Sequence, residues 1–106
     1  MEWTKELLTQ VEGASRMILS YLDSDGYPIV LPFPLIFDRD KRYFSLPIPQ
    51  HSPLPASKES VSLTLLHFDQ HMKRERYTLF YGQLTETGQD WIFTPSHVVL
   101  PRWRRE

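Results

Sequence analysis

The apolar positions of this chain follow a helical period once, near its start, and a strand period almost everywhere else. Trp3, Leu7, Leu8 and Val11 fall on one face of a helix, with Glu2, Lys5, Glu6 and Gln10 on the other. This predicts a helix over 2–12, with Thr4 as its N-cap and Gly13 as a left-handed stop. Ser15 to Leu22 reads as the first strand. The turn Asp23-Ser24-Asp25-Gly26 closes it, and Gly26 supplies the positive φ that Asp or Tyr would resist.

Residues 28–37 carry the sharpest pattern. Ile29, Leu31, Phe33, Leu35 and Phe37 form an apolar face at strict period two, while Pro28, Pro32 and Pro34 share the other parity with Val30 and Ile36. Parity also decides which edge each backbone N–H faces, so Pro32 and Pro34 remove donors from the same edge. That edge cannot be continuously paired, and the strand must border a gap or a free edge while keeping one face buried. An opened barrel meets both demands; a closed, fully laddered one does not.

Asp38-Arg39-Asp40-Lys41 is a polar turn, and Arg42 to Leu46 is a short third strand. Pro47, Pro49, Pro53 and Pro55 make residues 47–60 a fixed connector, with one helical turn expected near Ala56 to Ser60. Val61 to Phe68 is the fourth strand, Asp69 to Glu75 a loop, and Arg76 to Leu84 the fifth strand, with Tyr77, Leu79, Tyr81 and Gln83 on one face. Gly82 inside that strand predicts a bulge or a close backbone approach. Trp91 to Thr94 is a short sixth strand. Thr94-Pro95 resembles a helix N-cap followed by proline, which predicts a brief turn through Val99 before the basic tail Arg102-Trp103-Arg104-Arg105.

At 106 residues and 12.6 kDa the chain is a single domain. A compact monomer of this size buries about two-thirds of its extended-chain surface, so burial against a second subunit is physically attractive. Cysteine is absent, which excludes disulfides, Cys-zinc sites and thiol catalysis. The 12 basic and 13 acidic residues give no overall field toward nucleic acid or an anionic membrane. No apolar run approaches a membrane span and the N-terminus lacks a signal-peptide pattern, so a soluble cytoplasmic domain is expected. There is no Gly-x-Ser-x-Gly elbow, and four glycines leave no glycine-rich phosphate loop.

His67-Phe68-Asp69-Gln70-His71 alternates ligand types that an extended strand would put on one face. A strand end running into a solvated loop explains it as well, and no metal site is assigned. His97, in a proline-flanked turn, reads as packed or partly exposed rather than as a catalytic base. The basic tail, with Lys73, Arg74 and Arg76, offers cations beside aromatics. Balanced net charge argues against a nucleic-acid surface there.

The order and spacing of these pieces resemble the FMN-binding split barrel, the family of pyridoxamine 5'-phosphate oxidase and its small flavin-reductase-like relatives. The resemblance runs through Arg16 to Pro28, the proline-rich strand Ile29 to Phe37, and Arg42-Tyr43-Phe44-Ser45. It continues with His51, Ser52 and Leu54, then Val61-Ser62-Leu63 and Tyr77 to Leu84. It implies a mainly β fold: a six-stranded antiparallel split β-barrel with an N-terminal helix, one domain over 1–106. The helix spans 2–12, the barrel 15–94, and a turn with the basic tail 95–106.

The resemblance further implies a homodimer holding FMN in a groove between subunits, and an FMN-dependent oxidoreductase. Carried onto this sequence, Pro32, Phe33 and Pro34 lie beside the ring, Ser45, His51 and Ser52 face the phosphate, and Trp91 and Arg102 come from the other subunit. The chain departs from the family at the phosphate. No Arg or Lys lies between Arg42 and Lys58, and prolines remove backbone donors there, which leaves Arg16 or Arg42 to reach across. Two alternatives follow from that departure: a cofactor-free dimeric binding or scaffold module, and a variant of the same fold holding haem, with His51, His67, His71 or His97 as the axial ligand. A deazaflavin would want a more basic groove than this chain offers.

Overall fold

The computed structural model describes residues 1–67 and 76–99. One helix, α1 (Lys5–Glu12), precedes seven strands: β1 (Arg16–Leu22), β2 (Pro28–Pro34), β3 (Phe37–Asp38), β4 (Tyr43–Pro47), β5 (Val61–His67), β6 (Arg76–Thr87) and β7 (Asp90–Val99). They form one antiparallel sheet in the order β2-β1-β5-β6-β7-β4-β3. The Thr4 hydroxyl caps α1 by accepting from the Leu7 N–H at 3.1 Å. Gly13 ends the helix, as expected, but at φ −85°, in the right-handed region. Its N–H still bonds back to the Thr9 carbonyl, so no left-handed cap is needed there.

The predicted strand over 28–37 is one extended segment divided between two neighbours. Its first part, β2, pairs with β1; its last two residues, β3, pair with β4 at the opposite edge of the sheet. Only Leu35 and Ile36 separate them, and the Ile36 carbonyl already accepts from the Ser45 N–H at 3.0 Å. The two edges of the sheet are therefore joined by two residues of chain, which makes the sheet a curled, incompletely closed barrel. This is why seven strands appear where six were expected.

The proline argument holds in this geometry. β2 is an edge strand, and Pro28, Pro32 and Pro34 stand opposite Leu22, Ile18 and Arg16. Those three have no N–H to give, so the pairing with β1 is carried by Ile29, Leu31 and Phe33, and the outer edge keeps only the Val30 donor.

The inner face is closely packed. Met17 and Leu19 (β1), Leu63 and Leu65 (β5), Phe80 (β6), Phe93 (β7) and Phe44 and Leu46 (β4) are all fully buried. The Phe44 ring packs against Phe37, Phe80 and Phe93 at 4.8, 5.6 and 6.2 Å. Trp3, just before α1, fits between Phe37 and Phe80 at 5.4 and 5.8 Å.

Residues 47–60 strap the opposite end of the barrel. The Ile48 N–H donates to Gln89 O, the Tyr21 hydroxyl to Pro53 O, the Ala56 N–H to Leu22 O, and the Leu84 N–H to Lys58 O. Asp23 and Pro55 form an isolated bridge. No helical turn forms near Ala56 to Ser60, because the backbone bonds there are spent on β1 and β6.

The largest departure from expectation is β7, which runs straight through Thr94 and Pro95 to Val99 instead of turning into a helix. Proline is tolerated inside it because the β6–β7 ladder is broken there: Gly82 faces Pro95 but Tyr81 faces His97, leaving Ser96 unpaired. The Ser96 hydroxyl donates to the Tyr81 carbonyl at 3.2 Å. Gly82 thus marks both a bulge and a close approach, since a Cβ on it would lie 2.9 Å from Phe93 Cζ and from Pro95 Cα. Among the described residues no helix is long and apolar enough to cross a membrane.

Candidate functional site

A half-buried antiparallel sheet ordinarily turns a polar face to water. Here the outer face of β2, β1, β5, β6 and β7 is mixed, with exposed apolar side chains set among small hydroxyl residues. Register places Val30, Ser20, Ser62, Tyr81 and His97 in one row across these five strands. The next row is Pro32, Ile18, Thr64, Leu79 and Val99. Val30 is 62% exposed and Leu22, Tyr77, Tyr81 and Val99 also stand in solvent. The small hydroxyl residues Ser20 and Ser62 leave a hollow of about 250 Å³ between Val30 and Tyr81. A second hollow of about 310 Å³ lies at the other end of β1, among Ser15, Arg16, Pro32, Phe33 and Pro34. Both are near the lower end of small-molecule sites.

The residues expected to hold a cofactor do not all gather in one place. Pro32, Phe33 and Pro34 line the second hollow together with Ser15 and Arg16, and Arg16 has no ion-pair partner among the described residues. Ser45 sits in the middle of β4 opposite Ile92, and its N–H is spent on Ile36. His51 and Ser52 lie in the connector, which meets the barrel at Tyr21 and Asp23. Those contacts are five and seven residues along β1 from Arg16, so about 17–23 Å from Pro34. The structure does not bring His51 and Ser52 to the prolines within one subunit, whereas Ser45 is hydrogen-bonded to Ile36, two residues on from Pro34.

Two assignments are corrected. Trp91 is 1% exposed and packs edge-on against Tyr21 at 6.1 Å, so it is a core side chain and not the wall of an open slot. Its Nε1–H is buried and makes no well-formed hydrogen bond among the described residues, although it lies near enough to the Glu86 carboxyl to act on it. Arg42 is turned to the helix side, its guanidinium 6.0 Å from the Trp3 ring centre and its Nη1 buried without a partner, so it cannot reach across to a phosphate on the outer face. Arg102 and most of the His67–His71 run lie outside the described residues. Among the described residues no three His, Asp or Glu side chains gather to hold a metal.

His97 is exposed on the outer face and tilted against the Tyr81 ring at 6.4 Å and 33°. Sequence reasoning did not place it there, because parity along β7 changes at the bulge. Gly82 was the available signal: a bulge opposite it shifts the face of every later residue of β7.

Charged groups around the barrel end are paired. Lys58 Nζ sits 2.7 Å from Glu86 Oε1. The lysine's hydrogen bond, then its charge, holds the Glu86 carboxyl below the usual range against a small desolvation cost, and the nearby Trp91 indole adds slightly in the same direction. Burial, and then the neighbouring Asp23 charge, push the Tyr21 phenol up.

This curled antiparallel sheet with an N-terminal helix is a split barrel. Its fold is similar to that of HutZ, a heme storage protein from Vibrio cholerae, with a TM-score of 0.63 and 12% identity over 94% of this chain and 95% of that one. No protein-family model matches the chain, and no curated protein matches it in sequence.

Proposed function

We propose that the protein is a homodimer that holds a flat prosthetic group, haem, between the outer faces of its two sheets. The observation that carries this reading is an exposed imidazole, His97, on an outer sheet face that also exposes Val30, Tyr77, Tyr81 and Val99. Exposed apolar side chains gathered on one face mark interaction surfaces. The prolines of β2 leave edge-to-edge pairing at that edge with a single donor, so face-to-face packing of two copies is the favoured way to cover it. The row from Val30 to His97 spans about 19 Å, room for a macrocycle against one sheet. Bound haem would supply an iron, and the His97 imidazole would hold it. Similarity to a heme storage protein over nearly the whole chain supports the choice.

A second reading is FMN, and with it FMN-dependent oxidoreductase chemistry. The hollow where a hydroxyl and a guanidinium, Ser15 and Arg16, adjoin Pro32 and Pro34 favours it. It would need Ser45, His51 and Ser52 toward the phosphate and Arg102 from a second copy, as the family resemblance implies.

Separate titration with hemin and with FMN, each followed by gel filtration, tests the choice. The haem reading expects a Soret band that co-elutes with the dimer and no retained flavin. Retained FMN without a Soret band would transfer the assignment to the second reading. Loss of both would leave a cofactor-free dimeric scaffold.

A further inference from the structure

Resting on the haem reading, we infer that His97 is the iron ligand and that the bulge at Ser96 presents it. Before the bulge, Trp91, Phe93 and Pro95 point inward and are buried. After it, Val98 packs against the core while His97 and Val99 face solvent. Without the unpaired Ser96 that order would invert, with the imidazole directed at the core and Val98 outward. The fold keeps this irregularity at the cost of a glycine in the middle of a strand, which no larger residue can replace without moving Phe93 and Pro95.

The surroundings suit a ligand. Neither ring nitrogen of His97 makes a hydrogen bond among the described residues, so both are available to a metal. Tyr81, its register partner, limits rotation of the imidazole, and Leu79 and Val99 continue the apolar surface beside it. Of the other histidines, His51 stands exposed in the connector at the barrel end, and His67 closes β5 on the inward parity and is already engaged. His71 lies outside the described residues.

The test compares hemin complexes of the wild-type protein, His97→Ala, and His51→Ala as a control, by absorption spectrum and by the rate of haem transfer to an apo-globin acceptor. His97→Ala is expected to lose the imidazole-ligated Soret spectrum and to release haem at least about tenfold faster, with unchanged melting temperature because the side chain is exposed. Added imidazole should restore the spectrum of His97→Gly. An unchanged spectrum and release rate in His97→Ala would overturn the assignment while leaving the haem reading intact. Absence of any Soret complex with the wild-type protein would overturn both.

Discussion

Gly82 lies opposite Pro95 across β6 and β7, with Thr94, Phe93 and Pro95 closed over the place where its side chain would be. The contact has two consequences: the same break in the ladder lets proline sit in β7 and turns His97 outward.

Gly82→Ala should therefore destabilise the protein by about 1–3 kcal/mol through overpacking, for which Phe93 and the strand backbone must move. For a domain of this size that is roughly 4–8 °C of melting temperature per kcal/mol. Thermal unfolding followed by circular dichroism checks it, and a melting temperature equal to wild type would mean that the close approach is relaxed in solution.

How much was legible before the structure depended on whether a residue's meaning was local. The prolines of 28–34 were readable because a missing N–H constrains an edge wherever the strand lies, and Gly82 was readable because a mid-strand glycine has few other uses. Thr94-Pro95 misled because the N-cap signature is also local, whereas the bulge that overrides it comes from Gly82 twelve residues away in sequence. The break at Leu35 and Ile36 was hidden for a related reason: apolar alternation runs unbroken through it while the hydrogen-bonding neighbour changes from β1 to β4. Trp91 is buried where an open slot was expected and His97 stands on a strand where a turn was expected, and only three-dimensional register reveals that.

Tyr21 makes stability fall in alkali. Its phenol titrates above the ordinary tyrosine range in the folded state, so the unfolded chain ionises first as pH rises, and the stabilisation present below about pH 10 is lost above it. The phenolate also cannot donate to the Pro53 carbonyl. Tyr21→Phe should cost about 0.5–1.5 kcal/mol at pH 7 and flatten the alkaline limb of a denaturation series, and an equally steep limb in the variant would place the titrating group elsewhere.

Glu86 acts at the other end of the pH scale. Its folded-state carboxyl titrates below the ordinary glutamate range, so its contribution is full at neutral pH and fades as pH falls through the folded value. Glu86→Gln should melt slightly below wild type at pH 7, and the two should converge in acid, once the pH lies below the folded-state value. High salt should also shrink the gap, because the pair with Lys58 is exposed. A difference that persists in acid would point to packing instead of charge.

Val30→Lys tests the dimer face. The side chain is 62% exposed, so the fold of one subunit should tolerate the change, with a melting temperature shift equivalent to no more than about 0.5 kcal/mol in the monomer. In a two-fold interface the substitution enters twice and buries charge in an apolar contact. Light scattering after gel filtration should give a dimer for wild type and a monomer for the variant.

The most direct measurement is a hemin titration of the wild-type protein and of Val30→Lys, followed at the Soret band under identical protein concentrations. If the slot exists only between two outer faces, the wild type should take up haem and the monomeric variant should lose most of that affinity although His97 is intact. Equal haem binding by a monomeric Val30→Lys would contradict the account, because the site would then belong to a single subunit.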